Sequence, residues 1–215
     1  MNETLSIVVQ VVALLFAVSF HESAHGLAAL ACGDPTAREQ GRISLNPLRH
    51  VDPVGSIVFP ALLALTGAPV FGWARPVPVD LRRTRHPRSA NLLVSAAGPL
   101  SNVLLALAFT ALVLVIRPRL HGASASTVDE VLFLLAVYSV LINAALALFN
   151  LLPIPPLDGF GVLESLLPRS LAPLAYTLRR YGMLILLAIM MTGVLGRLLG
   201  PAQRAILDLL LGRHP

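Results

Sequence analysis

Long apolar runs alternate with short polar segments along most of the chain. A helix needs about 20 apolar residues to cross the hydrocarbon core of a bilayer. Four segments meet that length, and they cover residues 4–31, 90–116, 131–152 and 174–199. A further run at 54–72 is shorter and is interrupted by Pro60, Gly67 and Pro69, which favours a re-entrant hairpin over a span. These patterns predict an all-α polytopic membrane protein with about four transmembrane helices.

The stretch after this hairpin has a different pattern. In residues 68–80 apolar residues alternate with prolines and small residues, which is typical of an edge strand. We therefore expect a short extended β segment there, on the cytoplasmic side of the membrane.

Composition supports the membrane interpretation and excludes other classes. The chain has 215 residues, of which 56% are hydrophobic and 13% charged, and its mean hydropathy is +0.78, far more apolar than a soluble domain. It has no long polar segment that could carry a basic patch, so we expect a lipid bilayer and no nucleic acid as its partner. Cys32 is the single cysteine, which excludes an intrachain disulfide. We expect one membrane-embedded domain over residues 1–215.

The arginines predict the orientation of the helices, since cytoplasmic loops carry an excess of basic residues. If 54–72 enters the membrane and returns, segments 32–89 and 153–173 lie on the same side. Together with Arg179 and Arg180, that side has 11 of the 16 arginines. It should therefore be cytoplasmic, with both termini outside. We expect a multi-pass protein of a bacterial inner membrane.

Two acidic residues, Glu22 and Asp158, lie deep in apolar sequence. An ionisable group at such depth costs about 2.5–3.5 kcal/mol or more and normally faces a partner or a cavity. Glu22 lies in "HESAH", where His21 and His25 are four residues apart and so share one helix face. In this H-E-x-x-H pattern the two histidines can bind zinc, and the glutamate beside them can act as a general base.

Asp158 is the natural candidate for a third zinc ligand, which a catalytic site of this type needs. Pro153, Pro155 and Pro156 prevent a regular helix before it, and Gly159 permits a tight turn after it. Irregular backbone at membrane depth is tolerated only where it is buried in protein or lines a cavity. The sequence therefore predicts that this turn belongs to a site.

The depths of three motifs agree with one another. The histidine pair precedes the cytoplasmic end of the first span, Asp158 follows the cytoplasmic end of the third, and "AGPLSN" at 97–102 begins the second from the same side. They can meet only if residues 32–89 return to the side that they left. The arginine distribution independently favours this topology.

These motifs give the chain a resemblance to the site-2 protease family, which are intramembrane zinc metalloproteases. The resemblance rests on "HESAH", on G-x-x-x-N as Gly98 to Asn102, and on "NLLPIPPLDG" as Asn150 to Gly159. It implies one Zn²⁺ per chain, held by His21, His25 and Asp158. It also implies that Glu22 is the catalytic base and that Asn102 and Asn150 lie near the substrate or the oxyanion. The chain resembles a minimal member without a PDZ or cystathionine-synthase-like domain.

The resemblance further implies that the substrate is a transmembrane protein. A substrate helix hides its peptide bonds in its own hydrogen bonds, so it must unwind before it can be cleaved. We hypothesise that the extended segment at 70–80 pairs with the unwound stretch by strand addition.

Two other functions are compatible with these residues. The His and Asp groups could be the transit site of a metal transporter, or the chain could be a catalytically silent scaffold. Asn143 shares a helix face with Asn150 and could equally be a contact between helices. His50, Asp52 and His86 are expected to be loop residues without a metal role.

The topology can be tested by labelling single cysteines introduced at positions 82–88 in a Cys32→Ser background. We expect these positions to react with a membrane-impermeant reagent only from the cytoplasmic side. Labelling from outside would contradict the predicted orientation.

Overall fold

The computed structural model describes residues 3–66, 72–120 and 126–211. Within these residues the chain forms helices α1 (Glu3–Ala31), α2 (Thr36–Glu39), α3 (Phe59–Thr66), α4 (Pro87–Leu120), α5 (Thr127–Asn150), α6 (Asp158–Leu166), α7 (Ala172–Met191) and α8 (Val194–Leu211). A π-helical turn at Pro53–Val58 leads into α3, and 3₁₀ turns lie at Pro47–Arg49, Leu81–Arg83 and Arg169–Leu171. The described part of the chain contains helices and no strand.

Four helical stretches are long and apolar enough to cross a membrane. They are Glu3–Ala31, Pro87–Arg119, Thr127–Asn150 and Arg169–Met191. Many of their large apolar side chains are exposed on the outside of the bundle, among them Val8, Leu104 and Leu184. Since lipid is the medium that such surfaces fit, the prediction of four transmembrane helices is confirmed.

The extent of the fourth predicted span was wrong. The helix ends at Met191, and residues 192–199 do not continue it. Gly193 has a φ of 69°, which an α-helix cannot include. Leu195, at the start of α8, packs with Leu157 and Leu186, whereas Ile206 and Leu207 pack near Val113 and Ala136. Helix α8 therefore begins near the carboxyl end of α5 and runs antiparallel to α5.

Helices α1, α4 and α5 form the bundle that carries the site. Helices α1 and α4 are antiparallel, because Phe16 contacts Phe109 while His21 contacts Asn102. Helix α5 returns along α4, so it is parallel to α1. Small buried residues, including Ala13, Ala17 and Ala136, line the contacts and allow the helix backbones to approach closely.

The predicted β segment is not found in residues 72–80, which form no strand in the described chain; residues 68–71 lie outside the described part. The backbone of this segment instead bonds to other parts of the chain. The N–H groups of Trp73 and Arg75 donate to the carbonyls of Gly55 and His50, at 3.0 and 2.8 Å. Pro76 and Pro78 have no N–H, so an uninterrupted strand ladder is not available.

The bond between Gly55 and Trp73 brings the two ends of the predicted hairpin together. A Cβ on Gly55 would lie 2.3 Å from the Trp73 ring, so this contact requires a glycine. Residues 67–71 lie outside the described part of the chain, and entry of 54–72 into the bilayer stays a prediction.

Asp34 fixes the other end of this segment to the end of α1. Its carboxylate accepts the N–H groups of Thr36 (3.0 Å) and Asp80 (2.6 Å) and also the Thr36 hydroxyl. Burial alone would raise the pKa of Asp34, but these hydrogen bonds and the charge of Arg83 outweigh it and hold the pKa below its usual range. The ionised carboxylate is therefore part of the folded structure.

We expect Asp34→Asn to destabilise the protein by about 1–3 kcal/mol at pH 7, because the new amide N–H would face the Asp80 N–H. A depressed folded-state pKa gives stability above the unfolded pKa near 4, and this stability is lost as pH falls through the folded value. The melting difference between wild type and variant in detergent should therefore shrink below about pH 4. Equal melting at pH 7, or a gap that widens in acid, would contradict this role.

Candidate metal centre

Three side chains that can ligate a metal converge between α1 and α6. The Nε2 atoms of His21 and His25 are 3.1 Å apart. Asp158, the first residue of α6, places Oδ2 3.1 Å from Nε2 of His21 and Oδ1 3.4 Å from Nε2 of His25. Within the described residues, no second group of three such ligands could hold an ion.

The other nitrogen of each histidine determines how its ring is protonated. His21 Nδ1 lies 2.6 Å from Oδ1 of Asn102, and His25 Nδ1 lies 2.7 Å from the carbonyl oxygen of Val94. Both partners are acceptors, so both Nδ1 atoms donate. In the neutral rings Nε2 therefore has a lone pair, and the two lone pairs face the Asp158 carboxylate.

A chain of hydrogen bonds fixes the orientation of the Asn102 amide. Asn143 donates through Nδ2 to the carbonyl oxygen of Ser139 (2.8 Å), which can only accept. Oδ1 of Asn143 then accepts from Nδ2 of Asn102, also at 2.8 Å. This leaves Oδ1 of Asn102 for His21. Both asparagines are completely buried, so the hydrogen bond between them is shielded from solvent.

The donor set fits a divalent cation. Oδ2 of Asp158 is buried and has no hydrogen-bond donor among the described residues, because the nearest nitrogen is an acceptor in the neutral ring. Two neutral imidazole nitrogens and a carboxylate oxygen at such short separations repel one another unless a cation lies among them. Two histidines and a carboxylate, with the rings oriented through their second nitrogen, are typical ligands of catalytic zinc.

Gly98 on α4 leaves room beside the histidines. A Cβ at this position would lie 2.4 Å from Nε2 of His25 and 2.6 Å from Cε1 of His21. A methyl group would therefore occupy the space in front of the ligand nitrogens. This gives a physical reason for glycine and asparagine four residues apart, since Gly98 makes room for the imidazoles that Asn102 orients.

The loop after α5 places Asp158. Helix α5 ends at Asn150, and the prolines of residues 151–157 keep the chain from continuing as a helix. Helix α6 then begins at Asp158 itself. A Cβ on Gly159 would lie 2.2 Å from the carbonyl oxygen of Leu151, so only glycine lets the start of α6 pack directly on this loop.

Glu22 is half-buried and lies on α1 between the two histidines in sequence. Its Oε2 accepts the N–H of Val77 at 3.0 Å. The extended segment at 72–80 therefore contacts the predicted base through its backbone.

Asn150 does not contact the three ligand groups through any described hydrogen bond. It is half-buried, and its Nδ2 donates to the carbonyl oxygen of Leu146, one turn earlier in α5, at 3.0 Å. Asn143, whose role the sequence left open, is instead part of the chain that orients His21. The available signal was its spacing of seven residues from Asn150, which places both on one face of α5.

The other polar residues considered from the sequence lie elsewhere. His50 is buried, and its Nε2 donates to the carbonyl oxygen of Ser44 at 2.7 Å. Asp52 caps the π-helical turn by accepting from the N–H groups of Val54 and Gly55. His86 is exposed before α4.

Comparisons with known proteins agree with this chemistry. The family model of peptidase family M50 matches residues 119–193, a range that includes Asp158. The "Putative zinc metalloprotease YwhC" of Bacillus subtilis is 38% identical over 205 residues, which cover 94% of this chain and 88% of that protein. No solved structure matches the chain significantly.

Two further relatives are longer than this chain. The "Putative zinc metalloprotease Rip2" of Mycolicibacterium smegmatis is 32% identical over 85% of this chain and 66% of its own length. Rip2 of Mycobacterium tuberculosis is 33% identical over 74% of this chain and 59% of its own length. This chain therefore spans about two thirds or less of these two relatives.

Gly98→Ala should weaken zinc binding by about 10-fold or more, because the new methyl group displaces the imidazoles. Competition against a zinc chelator in detergent measures this affinity. The matched control is Gly200→Ala on α8, where a Cβ meets no described atom within 4 Å, and it should bind zinc as wild type does. Wild-type zinc affinity in a folded Gly98→Ala variant would contradict the proposed geometry.

Proposed function

Because the chain belongs to the site-2 protease family, peptidase family M50, we propose that this intramembrane zinc metalloprotease cleaves transmembrane protein substrates at the centre formed by His21, His25 and Asp158. The zinc metalloprotease function follows from the family. The substrate class and the roles of individual residues are our proposal, and we assign them to one membrane-embedded domain over residues 1–215.

One observation carries the proposal: three groups that can donate electron pairs to a metal converge, and Glu22 is next to one of them in sequence. His21, His25 and Asp158 lie within 4.8 Å of one another through their ligand atoms. Glu22 is adjacent in sequence and has one carboxylate oxygen bonded to Val77. A site that only stored or passed a metal would not need this fourth, non-ligating acid.

Each residue has a distinct part in the proposed reaction. Zinc, when bound, would polarise the scissile carbonyl and lower the pKa of a water molecule towards neutrality. Oε1 of Glu22 accepts the proton of the attacking water, while Val77 holds Oε2. Glu22 then gives this proton to the leaving nitrogen, which completes hydrolysis of the peptide bond.

The two asparagines of the motifs have different proposed roles. Asn102 is fully buried and bonded to His21, so we assign it to the orientation of a ligand and not to contact with the substrate. Asn150 ends α5 directly before the loop that leads to Asp158. From this position we propose that it contacts the substrate or the oxyanion.

The location of the site follows from the predicted topology. We propose that the protein lies in a bacterial inner membrane with the metal centre near the cytoplasmic side. The polar segment after α1 supports this, because residues 32–89 contain eight arginines.

Pairing of an unwound substrate with the segment at 70–80 stays a hypothesis. The hydrogen bonds of this segment limit which of its backbone N–H groups a substrate could use. The N–H groups of Trp73, Arg75 and Val77 already donate to other parts of the protein. Pro76 and Pro78 have none. The Val79 N–H makes no hydrogen bond among the described residues, so Val79→Pro tests this pairing better than a change at Val77.

The two alternative functions have less support. A transporter or a silent scaffold remained open from the sequence, but the matched family and the named relatives are peptidases. Neither alternative accounts for Glu22 beside the ligand group.

Zinc binding and catalysis should be separable by substitution. Glu22→Gln keeps the shape of the side chain but removes the base, so zinc content should stay at one per chain while cleavage falls by about 10² to 10⁴. Asp158→Ala removes a ligand, so zinc affinity and cleavage should fall together. Zinc analysis and cleavage of a transmembrane test substrate in detergent measure both effects.

Glu22→Gln and Asp158→Ala serve as controls for each other, because only the second should change zinc affinity. Cleavage by Glu22→Gln at the wild-type rate, or a wild type without stoichiometric zinc, would rule out the protease mechanism. A transporter instead predicts metal flux in proteoliposomes that survives Glu22→Gln, and no cleavage by wild type.

A further inference from the structure

Arg42 is a buried cation that has no role in the proposed reaction so far. It follows α2, and its side chain is only 8% exposed. Its backbone N–H donates to the carbonyl oxygen of Ala37 at 2.8 Å, which fixes the start of the side chain. A buried guanidinium is costly unless it is hydrogen-bonded and compensated in charge, so its partners indicate what it does.

The guanidinium holds the backbone of the extended segment. Nη2 of Arg42 donates to the carbonyl oxygen of Arg75 at 2.7 Å and approaches that of Pro76 at 3.3 Å. Both acceptors lie directly before Val77. Arg42 therefore fixes the two peptide groups that lead to the residue in contact with Glu22.

One peptide unit joins Arg42 to Glu22. The carbonyl of Pro76 and the N–H of Val77 belong to the same planar group, and they point in opposite directions. Arg42 lies at the oxygen end of this group, and Oε2 of Glu22 accepts at the hydrogen end, at 3.0 Å. A cation at the oxygen and an anion at the N–H polarise the peptide in the same sense, which strengthens both hydrogen bonds.

Electrostatics connects the same two residues. Burial and the neighbouring positive charge of Arg75 lower the pKa of the Arg42 guanidinium, and the negative charge of Glu22 offsets them in part. Nε of Arg42 is buried without a hydrogen-bond acceptor among the described residues. The carbonyls of the segment therefore hold the guanidinium, and the charge of the predicted base favours its charged form.

We propose that Arg42 is a positioning residue for the catalytic base, which acts through the peptide unit between Pro76 and Val77. By fixing this peptide it holds one oxygen of Glu22 and keeps the other directed at the attacking water. The inference rests on the proposed function for the role of Glu22. The contact between Arg42 and the segment is independent of that function.

Arg42→Met should lower kcat by about 10- to 100-fold, the scale expected when a catalytic group is displaced by up to an ångström. KM and zinc content should stay close to the wild-type values. Arg42→Lys keeps a cation that can reach one carbonyl, so it should retain more activity than Arg42→Met. The matched control is Arg38→Gln, since Arg38 is exposed on α2, and its kcat should equal that of wild type.

A double variant separates positioning of Glu22 from a general structural effect. If Arg42 acts through Glu22, the residual cleavage of Glu22→Gln should change little when Arg42→Met is added. Independent effects would instead multiply. A multiplicative loss, or an increase in KM with kcat unchanged, would overturn the proposal and indicate that Arg42 shapes a surface for the substrate.

Hydrogen exchange of the Val77 amide tests the contact without any activity. Arg42→Met should speed exchange in the peptide that covers residues 72–80, and Arg38→Gln should leave it unchanged. Unchanged exchange in Arg42→Met would overturn the proposal. If wild type failed to cleave but Arg42→Met still sped exchange, the protease function would be wrong and the structural contact would stand.

Discussion

Two imidazole nitrogens and a carboxylate face one another inside a helix bundle, and in the neutral rings their lone pairs repel unless a cation lies among them. The direction of every hydrogen bond around His21 follows from the Ser139 carbonyl, which can only accept. Asn143 must therefore donate to it, Asn102 must donate to Asn143, and His21 must donate to Asn102. This sequence of bonds leaves Nε2 of His21 as an acceptor, which is the form that binds a metal.

Two glycines allow the helices to pack closely around this centre. Helices α1 and α4 can meet at the histidines because Gly98 has no side chain, and α6 can begin at Asp158 because Gly159 packs directly on the preceding loop. The segment at 72–80 is bonded to Asp34, after the end of α1, and to the site through the contact of Val77 with Glu22. A few backbone groups thus couple the positions of the proposed ligands, the proposed base and the proposed contact surface for a substrate.

Sequence patterns predicted the parts of this protein that rest on periodicity and on the cost of burying charge. The four spans follow from the 20-residue length rule, and the histidine pair and Asp158 follow from ionisable groups in apolar sequence. The predicted end of the fourth span was wrong because residues 194–199 are mostly apolar, and hydropathy cannot show that Gly193 turns the chain. The predicted β segment is not found in residues 72–80, because Pro76 and Pro78 lack the backbone N–H groups that a strand ladder needs. The role of Asn143 stayed open and Arg42 was not singled out, because Asn102 and the carbonyls of Arg75 and Pro76 are distant from them in sequence and backbone carbonyls have no sequence signature.

X-ray absorption at the zinc edge of the purified protein tests the central claim most directly, since it reads the ligands of the metal itself. Two imidazole nitrogens at about 2.0–2.1 Å, together with oxygen donors at about 2.0–2.2 Å, are the result that His21, His25 and Asp158 predict. The oxygen contribution should fall in Asp158→Ala. A spectrum with a sulfur ligand from Cys32, or one without imidazole scattering, would contradict the account.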